Sequence, residues 1–309
     1  MTNWSIGVDL GASTFKCGLI SPEYKIVARK QAPTLAIEGP TQAADRIAAQ
    51  VRELMAELPA GAVVNQLGVC SPGPIDHTMG MIIDPPNLTG WRNVPFAALL
   101  SERLGIPVQL EHDAKAAALG EFHFGAGRGT DSMVLIIVGT GIGAAMIVNG
   151  ELYRGEKDAS GEIGHITVDL DGTICTCGSR GCIETYACGP AIMSAYTYST
   201  RKPVESAEEV VRAANEGDGI ARRVLERAGH ALGAGIATTA MIMDITTFVL
   251  FGSVVKAGEL LLKPAREAVP WYAHQSVSAR VRVLVGELGN DAGILGAAWG
   301  AGGQRMESG

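Results

Sequence analysis

Two hydrophobic patterns alternate along the chain. Short continuous apolar runs bounded by turn residues are typical of buried strands, and apolar residues that recur every three or four positions are typical of helices that bury one face. The first pattern predicts strands at 6–10, 15–20, 25–31, 66–69, 108–110, 133–138, 144–148, 247–250 and 281–285. The second pattern predicts helices at 41–58, 94–104, 114–124, 207–215, 219–243, 257–269 and 292–301. Strands and helices alternate throughout, so we predict an α/β fold.

One strand–turn–strand unit occurs twice, at 6–20 and at 133–148. The first turn reads Asp9-Leu10-Gly11-Ala12-Ser13-Thr14, and the second reads Gly139-Thr140-Gly141-Ile142-Gly143. Self-similarity of this kind predicts the same substructure in each half of the chain. The segment 149–190, which is rich in glycine and cysteine, is predicted to be irregular.

Both turns have the composition of a phosphate-binding loop. Glycine allows the backbone to approach a phosphate, and successive N–H groups form a cradle for an anion. A single turn of this kind is more often an ordinary hairpin turn, but two matching turns favour phosphate binding. Neither turn is a P-loop, because G-x-x-x-x-G-K-[ST] is absent. The second turn also differs from a Rossmann fingerprint, because a strand and not a helix follows it.

Composition and charge narrow the class of protein. The 309 residues are 47% hydrophobic and 18% charged, which suits a globular protein of two domains. The net charge of −7, without any block of Lys or Arg, argues against nucleic-acid binding. The chain shows neither the pattern of a secretory signal nor an apolar run long enough to span a membrane. We therefore expect a cytoplasmic protein without membrane contact, whose cysteines stay reduced.

Three of the six cysteines lie within eight residues, as CTCGSRGC from Cys175 through Cys177 to Cys182. Thiolates at this spacing can occupy three corners of a tetrahedral zinc site, and His165 is the best candidate for the fourth ligand. A set of buried free thiols is the less favoured alternative in this compartment. A catalytic zinc is a further alternative, but four protein ligands would leave no position for water.

Candidate acids and bases lie near these motifs. Asp113 follows the strand at 108–110 and opens a helix, where a helix cap is the ordinary role of an aspartate. Glu162 and Glu184 flank the cysteine cluster, and metal binding would order the loop that holds them. Asn87 follows two prolines and could add a donor and an acceptor. Chemistry alone does not choose among these roles.

Taken together, the motifs resemble the ROK family (repressors, open reading frames and sugar kinases), and within it the bacterial glucokinase-type hexose kinases. The resemblance covers nearly the whole chain. Besides the two turns, it rests on Ser71-Pro72-Gly73-Pro74, Pro85-Pro86-Asn87-Leu88 with Trp91, Asp113-Ala114 and its helix, Gly161-Glu162-Ile163-Gly164-His165, the segment 175–184 and Gly289-Asn290-Asp291-Ala292-Gly293. The segments 161–165 and 175–184 are highly specific, because they match the zinc signature of the family.

The resemblance implies an actin-like ATPase (ribonuclease H-like) fold with two α/β domains and a ligand cleft between them. We expect a small domain at 1–112 plus 293–309, and a large domain with the zinc loop at 113–292. The resemblance also implies a sugar and ATP as small-molecule partners, Mg²⁺, a structural Zn²⁺, and a homodimer or homotetramer.

The resemblance further implies a role for individual residues. Asp113 would be the catalytic base that accepts the proton of the sugar hydroxyl as its oxygen attacks the γ-phosphate. The sugar would be bound by Gly73, Asn87, His112, Asp113, Glu162, His165 and Glu184. ATP would be bound by Gly11, Ala12, Ser13, Thr14, Lys16, Gly139, Thr140, Gly141, Gly252 and Ser253. Zinc would be held by His165, Cys175, Cys177 and Cys182, with the second ring nitrogen of His165 directed towards the sugar.

Three positions depart from the family pattern. His112 stands where an Asn that contacts the sugar is usual, so the choice of sugar is open. Lys115 stands where a second Asn is common. It would add a cation near the phosphates or be an exposed helix residue, and we expect the second. Gly252-Ser253 replaces a Gly-Gly pair, and the small serine should still allow nucleotide binding.

The leading hypothesis is an ATP-dependent hexose kinase that phosphorylates glucose at its 6-hydroxyl. Kinases for mannose, fructose, an amino sugar or a sugar-like cyclitol are the alternatives in the same class. A sugar-responsive repressor would need an N-terminal helix-turn-helix domain, for which the first strand leaves no room, and the charge is unsuited to DNA. A non-catalytic sugar sensor is the third class, and the presence of Asp113 and both phosphate turns argues against it.

Overall fold

The structure, a computed structural model, describes residues 2–302. The strands in this range are β1 (Thr2–Leu10), β2 (Thr14–Ile20), β3 (Ile26–Pro33), β4 (Ala62–Ser71), β5 (Ile75–Asp76), β6 (Met81–Ile82), β7 (Val108–His112), β8 (Met133–Val138), β9 (Ile142–Val148), β10 (Glu151–Tyr153), β11 (Thr247–Phe251) and β12 (Arg282–Val285). The helices are α1 (Pro40–Ala56), α2 (Phe96–Leu104), α3 (Asp113–Phe124), α4 (Glu184–Ala187), α5 (Gly189–Thr200), α6 (Ala207–Asn215), α7 (Gly219–Met243), α8 (Glu259–Tyr272), α9 (Gln275–Ser278) and α10 (Ala292–Gly302). No helix within residues 2–302 combines the length and the hydropathy needed to cross a membrane.

The chain divides into two compact units. Unit 1 holds the described residues up to Arg128 and those from Leu288 onward, and unit 2 is Gly129–Glu287. These boundaries differ from the predicted 112/113 and 292/293, because α3 packs against α10 and the Glu121 carboxylate accepts the N–H of Leu288 at 2.8 Å. The parts of the predicted small domain at residue 1 and at 303–309 lie outside the described residues.

Unit 1 is built around a five-stranded sheet of order β3-β2-β1-β4-β7. β1 pairs antiparallel with β2 and parallel with β4, and β4 pairs parallel with β7. Successive side chains of a strand point to opposite faces. One face of β1 therefore presents Ile6, Val8 and Leu10, which are buried in a core shared with α1. On the other face α10 lies directly on the sheet, at Gly7 and Gly68, where any side chain would meet its backbone.

Unit 2 repeats this topology. Its five-stranded sheet has the order β10-β9-β8-β11-β12. β9 pairs antiparallel with both β8 and β10, as β2 does with β1 and β3 in unit 1. β11 then pairs parallel with β8, and β12 pairs parallel with β11. The buried residues Val134, Ile136, Phe248 and Leu250 of this sheet share a core with α7 and α8. The predicted duplication of the strand–turn–strand unit is thus confirmed, and the α/β class with it.

The predicted irregular segment contains more order than the sequence suggested. β10 and the short helix α4 lie within it, and α5 begins at its end without having been predicted. Pro190 at the first turn of α5 is a helix-start signal, but Gly189 and the run of Tyr, Thr and Ser in α5 obscured it. Helix α8 continues to Tyr272 beyond the predicted end at 269.

Candidate active site

Asp113 is the first residue of α3 and follows directly on β7. The N-cap is the preceding residue, His112, whose Nδ1 accepts the N–H of Ala114 at 3.2 Å. The Asp113 carboxylate accepts the same N–H at 2.7 Å, and its side chain is 46% exposed. His112, and not Asp113, is therefore the N-cap, and the partly exposed carboxylate of Asp113 is accessible to a ligand.

His112 lies between this carboxylate and the loop that follows β4. Its Nδ1 is 3.1 Å from Asp113 Oδ1, so the ring either caps α3 or donates to the carboxylate, depending on which nitrogen carries the proton. The ring packs against Gly73, where a Cβ would lie 2.6 Å from Nε2. Glycine is required at 73 for this approach, and the structure brings Gly73, His112 and Asp113 together.

Asn87 is exposed in the loop before α2. Buried Leu88 and Trp91 anchor this loop, and the indole N–H of Trp91 donates to the carbonyl of Ala36 at 3.0 Å. Within residues 2–302 no hydrogen bond joins Asn87 to another residue, so its amide is available to a ligand.

Thr34 stabilises the first glycine turn through two hydrogen bonds. The hydroxyl of Thr34 donates to the carbonyl of Gly11 at 2.7 Å, and its N–H donates to the carbonyl of Ser13 at 2.9 Å. Among the described residues the N–H groups of Ala12 and Ser13 find no acceptor. Two successive unpaired N–H groups at a fixed turn are the arrangement that binds an anion.

Asp9 is the next-to-last residue of β1, at the start of the first turn motif, and was not assigned an individual role from the sequence. It pairs in register with Lys16 of β2, and its Oδ1 lies 3.6 Å from the thiol of Cys70. Burial raises the pKa of the Asp9 carboxyl, and nearby Asp113 adds to the rise while Lys16 opposes it. The sequence could have indicated Asp9 as a site residue, because it belongs to the first turn motif.

The second glycine turn has the same character in unit 2. Its tip leaves the N–H groups of Thr140 and Gly141 without an acceptor in the described part of the chain. Its two sides are fixed, since the N–H of Gly189 donates to the carbonyl of Gly139 at 2.8 Å and the N–H of Ile142 donates to Glu184 Oε2 at 2.7 Å. The contact with Glu184 was not predicted.

Gly252-Ser253 follows β11 and lies beside this turn. A Cβ on Gly139 would be 3.9 Å from Ser253 Oγ, and Gly252 adopts φ +107°, a conformation that favours glycine. Ser253 lines an open cavity, whose empty space of about 370 Å³ includes open solvent. Its walls are mostly apolar, from Ile192, Ala207, Val211, Leu225, Val254 and Ala257, and Glu208 and Lys256 complete the lining.

The structure brings the predicted metal ligands together. One ligand atom each of His165, Cys175, Cys177 and Cys182 lies within 4.8 Å of all the others. Two pairs of these atoms lie 3.7 Å apart, His165 Nδ1 with Cys175 Sγ and Cys177 Sγ with Cys182 Sγ. Tetrahedral zinc with Zn–S bonds of about 2.3 Å places two sulfurs about 3.8 Å apart. The donor set therefore fits a zinc ion in both chemistry and spacing.

The thiols of this cluster differ in environment. A backbone hydrogen bond from Ser179 lowers the pKa of exposed Cys177 to about 7, whereas burial raises that of Cys182 to about 12. The second nitrogen of His165, Nε2, lies 3.9 Å from Glu162 Oε2, and the Glu162 side chain is 69% exposed. His165 thus joins the cysteine cluster to an accessible carboxylate.

Lys115 corrects a prediction. We expected an exposed helix residue, but Lys115 is only 4% exposed. The reason is that α3 is buried continuously from Ala114 to Glu121, so that after Asp113 the next two turns of the helix have no solvent-facing side.

Comparisons with known proteins agree with these motifs. A profile of the ROK family matches residues 5–303. The chain is 37% identical over 306 residues to a glucokinase of Thermotoga maritima, a match that covers 95% of each protein.

Two solved structures extend the comparison. A ROK hexokinase from Thermus thermophilus is 33% identical with a TM-score of 0.85, over 96% of this chain and 97% of that one. A ROK family glucokinase from Streptomyces griseus, solved in complex with glucose and AMPPNP, is 32% identical with a TM-score of 0.73, over 96% and 99% of the two chains. The predicted actin-like sugar kinase fold is confirmed by this similarity. From the profile and the relatives, the chain belongs to the ROK family.

Proposed function

We propose that this ROK-family sugar kinase transfers the γ-phosphate of ATP to a hexose, with the 6-hydroxyl of glucose as the first candidate acceptor. The observation that carries the proposal is the accessible carboxylate of Asp113 at the start of α3, beside His112 and Gly73. The relatives from Thermotoga maritima and Streptomyces griseus are glucokinases, and the second of them was solved with glucose and AMPPNP, which supports the choice of glucose and ATP.

In this proposal Asp113 is the catalytic base. Its carboxylate accepts the proton of the hydroxyl while the oxygen attacks the γ-phosphorus. The bond between that phosphorus and the bridging oxygen breaks, ADP leaves, and Asp113 then gives its proton to solvent. Phosphoryl transfer depends mainly on positioning and charge stabilisation, so the carboxylate also orients the nucleophile.

The candidate contacts for the sugar hydroxyls are the residues that the family resemblance implies: Gly73, Asn87, His112, Asp113, Glu162, His165 and Glu184. When His112 caps α3 through Nδ1, its Nε2 carries the proton and is a donor. An imidazole N–H differs in reach and geometry from an amide, so His112 is the residue we expect to set the preference among hexoses, amino sugars and cyclitols.

The nucleotide is assigned to the two turns and to the apolar cavity of unit 2. The unpaired N–H groups of Ala12, Ser13, Thr140 and Gly141 suit phosphate oxygens. The cavity beside Ser253 suits the flat apolar faces of a purine, which favours a nucleotide donor over a polyphosphate chain.

Two metals complete the proposal. Asp9 is the candidate ligand for Mg²⁺, because a cation beside this carboxylate would offset the burial that raises its pKa. When bound, Mg²⁺ neutralises charge on the phosphates. Zinc held by His165 and the three cysteines would be structural, ordering the loop that carries Glu162 and Glu184.

ATP consumption by the zinc-loaded protein across hexoses, amino sugars and cyclitols tests the proposal. Turnover with glucose is expected. Turnover with another compound alone would reassign the acceptor, and bound ATP without any turnover would favour a non-catalytic sugar sensor.

The Asp113→Asn variant should lower kcat by about 10²–10⁴-fold while sugar binding persists. Asp45→Asn is the matched control, since Asp45 lies on α1 with its side chain 61% exposed and pairs only with Arg103 among the described residues. Undiminished turnover in Asp113→Asn would remove this residue as the base.

We further propose that the enzyme works in the cytoplasm, where thiols such as Cys177 stay reduced. A homodimer or homotetramer remains a proposal. Exposed Trp271 and Tyr272 at the end of α8 are a candidate contact, which sedimentation of the wild type and of Trp271→Glu would test.

A further inference from the structure

The second glycine turn is fastened to the segment that follows the metal ligands. Glu184 is the first residue of α4, two positions after Cys182, and its Oε2 accepts the N–H of Ile142 at 2.7 Å. A hydrogen bond from an N–H to a carboxylate at this distance is of the strong, charge-assisted kind. The same contact favours glycine at position 141, because a Cβ there would lie 2.8 Å from Glu184 Oε2.

Glu184 is itself held in place. The hydroxyl of Thr185 donates to the carbonyl of Cys182 at 2.7 Å, and the N–H of Ile183 donates to the carbonyl of Ile166 at 3.1 Å. Ile183 is fully buried in the core of unit 2. The carboxylate therefore projects from an anchored segment onto a hairpin turn.

The turn has few other restraints. Its tip N–H groups, at Thr140 and Gly141, are unpaired within residues 2–302. Besides the bond to Glu184, the turn is held from outside by the hydrogen bond from the Gly189 N–H to the Gly139 carbonyl. An anion cradle binds well only when its N–H groups are already aimed at one point, because ordering a mobile turn costs free energy at the moment of binding.

We infer that Glu184 is a positioning residue of the phosphate turn, in addition to the sugar contact assigned to it above; the inference rests on the proposed function. One oxygen, Oε2, holds the backbone of Ile142, and the other oxygen is left for a sugar hydroxyl. The same side chain then connects the sugar site, the metal loop and the nucleotide site.

The test is the affinity for AMPPNP without sugar, measured by calorimetry on the zinc-loaded full chain. Glu184→Ala should weaken binding by about tenfold or more, because a hydrogen bond to a charged group is lost. Glu184→Gln should stay within about threefold of wild type, since an amide oxygen can accept the same N–H. Glu226→Ala is the control: it removes an exposed carboxylate on α7 that has no hydrogen bond or ion pair in the described residues, and it should leave AMPPNP affinity unchanged.

A second readout needs no ligand. Amide hydrogen exchange at 140–143 should be faster in Glu184→Ala than in wild type and should be slowed again in Glu184→Gln. Unchanged AMPPNP affinity and unchanged exchange in Glu184→Ala would overturn the inference, and so would a Glu184→Gln variant as impaired as Glu184→Ala. If the wild type binds no AMPPNP, the proposed function fails, while the exchange rates still decide the role of Glu184.

Discussion

The packing of α10 on α3 offers a sharp test of how the fold positions Asp113. Gly296 of α10 lies against the backbone of α3, and a Cβ there would be 2.6 Å from the carbonyl carbon of Ala116 and 2.8 Å from the N of Gly120. The carbonyl oxygen of Ala116 would lie closer still. Ordinary contacts begin at 3.4 Å, so Gly296→Ala must push the two helices apart by more than about 1 Å.

The magnitude follows from two opposed effects. Forcing a methyl group between two backbones costs roughly 1–3 kcal/mol, and the upper end applies because neither backbone can rotate away as a side chain would. Replacing glycine by alanine inside a helix returns about 1 kcal/mol. The expected net loss is roughly 2 kcal/mol, or a fall in Tm of about 5 °C. Asp113 lies one helical turn from Ala116 and should move with α3, which lowers kcat by about 100-fold.

Gly300→Ala on the same helix is the matched control. Its Cβ would meet Leu119 Cδ1 at 3.5 Å, an ordinary contact, so only the gain in helix propensity remains and Tm should rise slightly. The assays are thermal unfolding and steady-state kinetics with saturating sugar and ATP. Equal Tm values for the two variants would refute the packing argument, and a destabilised Gly296→Ala with normal kcat would refute the link to Asp113.

Three further predictions concern stability and the metal. Burial lowers the pKa of His123 from its usual 6.5 to about 4, so between these pH values the folded state binds fewer protons than the unfolded state. The free energy of unfolding should therefore fall as the pH drops from 6.5 towards 4, and His123→Phe should flatten that part of a plot of Tm against pH. Cys182→Ala should abolish stoichiometric zinc, measured by plasma emission, and raise the sugar KM by about tenfold or more, whereas retained zinc would contradict the four-ligand site. Trp91→Phe removes the indole hydrogen bond to the carbonyl of Ala36 and leaves a small cavity, so urea unfolding should report a loss of roughly 2 kcal/mol, and an unchanged midpoint would contradict that bond.

Local sequence was sufficient for the elements and motifs whose signals are short-range. The helices α6 and α7 have the predicted bounds of 207–215 and 219–243, because each follows a capping residue, Ser206 or Asp218, and carries apolar residues at helical spacing. The duplicated strand–turn–strand unit was readable for the same reason. Three metal ligands lie within eight residues, so their grouping needed no knowledge of the fold.

Tertiary structure alone decided the features that join distant residues. Lys115 is buried because α3 packs inside unit 1 along its whole stretch from Ala114 to Glu121, and no local pattern around residue 115 records that packing. The sequence alone indicates that Glu184 is a carboxylate in a loop, yet its side chain accepts the backbone N–H of Ile142, 42 residues earlier. The physical reason is that periodicity and capping act over one or two turns of chain, whereas burial and hydrogen bonding between segments depend on how separate elements pack.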